Sequence, residues 1–256
     1  MKKRSWFRTP VVTGLAFAAA IGLLAFSGIG IARAVPAIRT DNEYTSIAHD
    51  SIGVALLENG TAPSGGALLG SILSQTNNKL VLNYAYNEPL SVRNTGVINE
   101  YVRVTVRKYW VGADGKETDL SPELIHVGLG NADIYDASFT GANGWIKDAG
   151  ASTSERVVLY YSQVLPGSGG VTGLFADSVR IDNKVATAVA SEKSADGKTT
   201  TNTYKYNGVQ FCLEATVDAV QEHNAQYTDG SGNNVGAIKS AWGRDVTVSG
   251  GTLTLN

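Results

Sequence analysis

The residues able to do chemistry are few. The chain of 256 residues holds three histidines, His49, His126 and His223, and one cysteine, Cys212. A zinc protease of the H-E-x-x-H type sets two imidazoles on one helical face, and none of the three histidines stands in that pattern. His126 alternates with Ile125 and Val127, which predicts an outward position on a strand. His223 lies between Glu222 and Asn224 at the end of a strand-like run, where a solvent-facing or turn position is expected. Cys212 opens the row CLEATVDAV, whose Leu213, Ala215, Val217 and Ala219 share a face with Phe211. The thiol falls on the other face with Glu214, Thr216 and Asp218, as a partly buried, inert group. An intermolecular disulfide is the alternative for a lone cysteine in an exported chain. No serine stands in G-x-S-x-G. The loop DGSGNN sets oxygens at Asp229, Ser231 and Asn233 like the start of a calcium loop. Its sixth position is Asn234 rather than glycine and its twelfth is Ser240 rather than a bidentate glutamate, so an ordinary loop is expected. Asp114, Glu117 and Asp119, and likewise Asp133 and Asp136, are expected to be solvated turn acids. The sequence predicts no catalytic residue, no cofactor and no metal ion.

The elements that would position these groups are strands. Residues 91–110 read SVRNTGVINEYVRVTVRKYW. There Val102, Val104 and Val106 point one way and Arg103, Thr105 and Arg107 the other, the period-2 pattern of a half-buried strand. Similar runs cover Tyr44–Leu57, Lys79–Tyr86, Tyr101–Val111, Glu123–Val127, Arg156–Gln163, Val185–Ser191, Thr199–Tyr206, Val209–Val220 and Asp245–Leu255. Asp114-Gly115 and Asp196-Gly197 read as hairpin turns, because Asp-Gly supplies the positive φ that such turns need. Helical spacing is brief: Ala67, Leu68, Ser71 and Ile72, then Asn233–Trp242, with Gly243 as its stop and Trp242 as its anchor. Gln163–Gly173 reads as loop. The expected fold class is all-β, an antiparallel sandwich with one or two short helices. Arg103 and Arg107 form a local basic stripe and are the candidate interface.

The N-terminal segment addresses location. Lys2, Lys3, Arg4 and Arg8 precede an uncharged run from Val11 to Ala32, and Ala32-Arg33-Ala34 supplies an A-x-A cleavage site before Val35. This predicts a signal peptide over 1–34 and a single domain over 35–256. The apolar run is also long enough to span a bilayer as an uncleaved anchor. Removing the leader takes five basic residues and leaves 16 against 23 acidic ones, a charge of about −7. That balance argues against nucleic acid as a partner and leaves membrane contact to the leader alone. With one cysteine, no internal disulfide can form, so stability must come from packing.

Asn94-Thr95-Gly96 followed by Tyr101-Val102-Arg103-Val104 resembles the NTG…YVRV pattern of the TasA/camelysin family of exported bacterial proteins. EATVDAVQEHNA (214–225) and AIKSAWGRDV (237–246) resemble the tail of the same group. The long leader also fits, since members use a dedicated signal peptidase. The resemblance covers most of residues 1–110 and 205–250, and Val185–Tyr206 looks like a family-variable hairpin. It implies a jelly-roll-like sandwich, secreted to the cell surface or a biofilm matrix. Such proteins polymerise by donor-strand exchange with copies of themselves, alongside other matrix or surface proteins. The candidate donor is residues 35–57, which alternate through Ile47, Ile52, Val54 and Leu56 as β-augmentation requires. Its first part is polar, with Arg39, Asp41, Asn42 and Glu43. Two alternatives stand beside this expectation. One is a monomeric secreted adhesin that uses exposed aromatics such as Trp145. The other is the metalloprotease activity implied by the camelysin name, which would fall to His126 or His223.

Overall fold

The computed structural model describes residues 33–34, 52–63, 68–76 and 80–256. The fifteen strands are β1 Arg33–Ala34, β2 Val54–Glu58, β3 Tyr86–Asn94, β4 Glu100–Gly112, β5 Gly115–Glu117, β6 Ile125–Leu129, β7 Ala132–Asp133, β8 Trp145–Lys147, β9 Arg156–Tyr161, β10 Ala176–Ile181, β11 Val189–Lys193, β12 Thr200–Tyr204, β13 Gln210–Gln221, β14 Val246–Ser249 and β15 Thr252–Leu255. Among the described residues two short helices accompany these strands, α1 Gly70–Gln75 and α2 Ala237–Trp242. The first sheet runs β1-β13-β4-β9-β8, with β5 paired to β4, and the second runs β2-β3-β10-β6-β7. Successive long strands alternate between the sheets: β3 in the second, β4 in the first, β6 in the second, β9 in the first, β10 in the second, β13 in the first. The antiparallel sandwich is the one expected from the alternating runs, and its crossing connectivity is jelly-roll-like, as the resemblance implies.

The core lies between the two sheets, where period-2 strands from each turn their apolar sides inward. Val102, Val104 and Val106 are fully buried, in one cluster with Leu90, Val92, Val127 and Phe175. Burying each such valine stabilises the fold by about 1.5–3 kcal/mol. A second cluster covers the other side of the first sheet. There Tyr101, Val158, Tyr160 and Val220 pack under Ile238 of α2 and Val246 and Leu253 of the β14–β15 hairpin. The helix ends where Gly243 takes a left-handed φ and donates its N–H to the Lys239 carbonyl, a glycine stop.

Several boundaries differ from expectation. The strand placed at Lys79–Tyr86 begins only at Tyr86 and runs on to Asn94, through the polar Asn87-Glu88-Pro89. The register against β10 slips by one residue between the Leu90–Ala176 and Asn87–Ser178 pairs, and this bulge accommodates a proline with no N–H to donate. The strand expected at Glu123 starts at Ile125 after a 3-10 turn over Pro122–Leu124. The one expected at Val185 starts at Val189 after a similar turn over Asn183–Ala186. Asp245–Leu255 is two strands, folded back at Gly250-Gly251. Both Asp-Gly turns close hairpins, β4–β5 and β11–β12. The signal segment 1–32 and the first half of the strand expected at Tyr44–Leu57 lie outside the described residues.

Three carboxyls and one amine are buried inside this sandwich. Glu100 accepts from the Gly53 N–H at 2.7 Å, which fixes the approach to β2. Glu88 accepts from the Leu69 N–H at 3.2 Å, and Glu58 and Glu88 each keep one buried oxygen without a partner. Burial, reinforced by Glu58, pushes Glu88 up to about 8. Burial likewise pushes Glu100 up to about 7, against the pull of the Gly53 N–H. Lys108 continues the inward row of β4, donating from Nζ to the Ile125 carbonyl at 2.5 Å with the Tyr135 ring 3.9 Å away. Its burial lowers it to about 8.

These shifts set the pH dependence of stability. A carboxyl raised in the folded state keeps its proton while the unfolded chain loses it, so Glu88 and Glu100 cost stability progressively from about pH 4.5 to about 8. A lysine lowered in the folded state releases its proton first, so Lys108 adds stability from about pH 8 to about 10.5. Thermal unfolding across that range is expected to show Glu88→Gln flattening the decline below pH 8. Lys108→Met is expected to flatten the rise above it. Parallel profiles for wild type and Glu88→Gln would refute the assignment to Glu88.

Candidate functional site: the outer face and free edge of the first sheet

Odd-numbered residues of β4 face away from the core, and their cross-strand neighbours assemble into rows. Arg103 stands between Asp218 of β13 and Tyr160 of β9, and four residues on, Arg107 stands between Glu214 and Arg156. The two rows have opposite fates, because the layer of α2 and the β14–β15 hairpin covers only one end of the face.

At the covered end, Arg103 donates to Asp218 Oδ2 from Nη2 at 2.8 Å and from Nε at 3.2 Å. Its guanidinium lies 5.2 Å from the centroid of the Trp242 ring, which meets Tyr160 edge-on at 5.4 Å. Trp242 anchors α2 as expected, with Arg103 as part of the anchor. Of the two arginines read as an interface stripe, Arg103 is therefore engaged within its own fold.

At the open end, Arg107 is exposed and has no hydrogen-bond or ion-pair partner among the described residues. It lines an open cleft of about 490 Å³ with Tyr109, Lys116, Thr153, Glu155, Arg156 and Glu214. Lys116 of the β4–β5 hairpin pairs with Glu155, and Tyr109 donates to Glu214 at 2.6 Å. The Arg156 Nε donates to the Ala151 carbonyl at 3.0 Å, leaving its terminal nitrogens without a partner. The sequence does not single out Lys116, Glu155 or Arg156. The alternation of Arg156 with the inward Val157 is readable there, but the row that sets it beside Arg107 is not.

The remaining chemical residues are occupied or isolated. Cys212 is half-buried with Sγ 3.9 Å from Glu214, and burial raises its thiol, so little thiolate forms at neutral pH. His126 lies on the outer side of β6, as its alternation predicts, but between two acids. Nδ1 is 2.9 Å from Asp133 and Nε2 is 3.6 Å from Asp182. Burial works to raise Asp133, yet His126, the Tyr135 N–H and Lys108 outweigh it and hold the carboxyl low; Asp133 is not the solvated turn acid expected. His223 is exposed beyond β13 of the first sheet, so the two histidines belong to different sheets. Asp229 spends one oxygen on the N–H groups of Ser231 and Asn233 within its own loop. Trp145, expected to be exposed, is 2% exposed in β8 and donates to the Gly173 carbonyl at 2.8 Å. Its neighbours Tyr161 and Phe175 make it core, which the glycine-rich GANGW context conceals.

The other feature of this sheet is its β13 edge, sparsely paired among the described residues. β13 runs for 12 residues, and on the side away from β4 only Asp218 and Ala219 are paired among the described residues, in parallel, by Arg33 and Ala34 of β1. Ile52 packs against the main core, and Val54 and Leu56 sit in β2, antiparallel to β3 and buried. Ala32, Val35 and Ile47 lie outside the described residues.

The contrast between the two arginines predicts different costs. Replacing Arg103 by alanine leaves the buried Asp218 without its cation and is expected to lose about 1.5–3 kcal/mol in denaturant unfolding. Arg107→Ala is expected to stay within about 0.5 kcal/mol of wild type. Equal losses would contradict the division of the face into a covered and an open end. No family model, no curated protein and no solved structure matches this chain.

Proposed function

We propose that this chain is an exported structural protein of the cell surface or biofilm matrix that assembles with copies of itself into fibres by strand addition. The observation that carries the reading is the long β13 edge, paired over two of its 12 residues among those described. Unpaired edge backbone is a template for a further strand, and folds that do not use such an edge normally block it. The chain that reaches this edge is the segment just before the sandwich. β1 lies on β13, and residues 35–51 connect it to the approach to β2. Since Val54 and Leu56 fill the chain's own core, the strand to be donated is the part upstream, around Ile47. A leader cut after Ala34 would take β1 with it and open Asp218 and Ala219 to an incoming strand. The resemblance of the NTG…YVRV and AWG segments to the TasA/camelysin group supports the same reading.

The test is electron microscopy of the mature chain over time, beside a variant lacking residues 35–51. Wild type is expected to form fibres. The variant is expected to stay monomeric and to unfold cooperatively, since it keeps β2 to β15. Fibres from the shortened chain, or monomers from both at high concentration, would refute assembly by this segment.

A further inference from the structure

The cleft at the open end of the first sheet has more hydrogen-bond donors than its own acceptors use. Arg107 and Arg156 are directly opposite across β4 and β9. Like charges so placed are unfavourable unless something between them is negative. The acids nearby do not supply it: Glu155 is paired with Lys116, and Glu214 accepts from Tyr109 rather than from Arg107 on the neighbouring strand. Thr153 Oγ1 accepts from the N–H groups of Glu155 and Arg156, at 3.3 and 3.1 Å. Its hydroxyl proton is thereby left free to donate. The unpartnered donors thus converge as two guanidinium groups and one hydroxyl. Beside them, Glu155 Oε1 and Glu214 Oε2 remain as acceptors.

We infer that this cleft binds a uronate, a sugar carrying one carboxylate among several hydroxyls, as part of an acidic polysaccharide. Three cations against two carboxylates leave the cleft one positive charge in excess, which matches a single carboxylate better than a dianionic phosphate. A guanidinium fork takes a planar carboxylate through two parallel bonds. The free glutamate oxygens then accept the neighbouring sugar hydroxyls, which stand at fixed positions on the ring that carries the carboxylate. This inference does not depend on fibre formation: a chain that never polymerises can still bind at this site.

Calorimetric titration of the full chain with trigalacturonate at low salt tests it, with trigalactose and triglutamate as parallel probes. Saturable binding of trigalacturonate is expected, weakened roughly tenfold by Arg107→Gln or by Arg156→Gln and abolished by both. Added salt is expected to weaken it further. Arg107→Gln is not expected to lower the unfolding temperature, since it relieves repulsion between two neighbouring cations, whereas Arg156→Gln also gives up the bond to the Ala151 carbonyl and its folding is checked by circular dichroism. Equal affinity for trigalactose, tighter binding of triglutamate, trigalacturonate binding untouched by the double variant, or no binding at millimolar ligand would each overturn the assignment.

Discussion

The pleat of one strand governs this molecule. β4 is 13 residues long and hydrogen-bonded on both sides, to β13 along its whole length up to Val111 and to β9 from Arg103 to Arg107. With no break in it, every even-numbered side chain is committed to the core and every odd one to the opposite face. The inward row therefore holds Glu100 and Lys108 as well as the three valines between them and Trp110 beyond. The protein satisfies those two polar groups locally, one through the Gly53 N–H and one through the Ile125 carbonyl and the Tyr135 ring. Both contacts reach across to the opposite sheet or its approach, so the two ends of the valine row also hold the layers together.

A second set of contacts fixes how the chain enters that strand. Asn94, fully buried at the end of β3, accepts from the Gly96 N–H and donates to the carbonyls of Ile98 and Leu165. Gly53 offers its carbonyl to the Thr95 and Gly96 N–H groups, and a side chain there would strike Thr95. The Asn-Thr-Gly turn is thus a three-way junction between β2, β3 and the loop after β9. Its polar residues serve the backbone, a structural use for a motif that could be mistaken for a binding loop.

Much of this is legible in the sequence, and the boundary of legibility has physical causes. Alternation reveals β4 and β13, because each has one more polar side and one apolar side; β-branched and aromatic residues reveal β9, which is buried on both faces, and the Asp-Gly pairs reveal two hairpins. It misplaces β3, whose first half carries Asn87, Glu88 and Pro89, residues held there by a bulge and by tertiary partners. It misses β8, which is three residues long, and β10, whose Asp177-Ser178 pair interrupts the alternation beside a register shift. For the candidate site, the outward placement of Arg103 and Arg107 is legible. Their different surroundings are not, because whether Trp242 covers one and Arg156 flanks the other depends on register between elements far apart in the chain.

Strand addition to the β13 edge has a consequence for any assembly built on it. Two identical surfaces meeting about a twofold axis would give a closed pair with both ends alike. A segment lying on a different element of its neighbour is instead a head-to-tail contact, and such contacts repeat without closing unless their rotation happens to form a ring. A thread made this way has a vacant strand site at one end and an undonated leading segment at the other. Its two tips are chemically unlike, so growth, capping and attachment to a cell can each be confined to one of them.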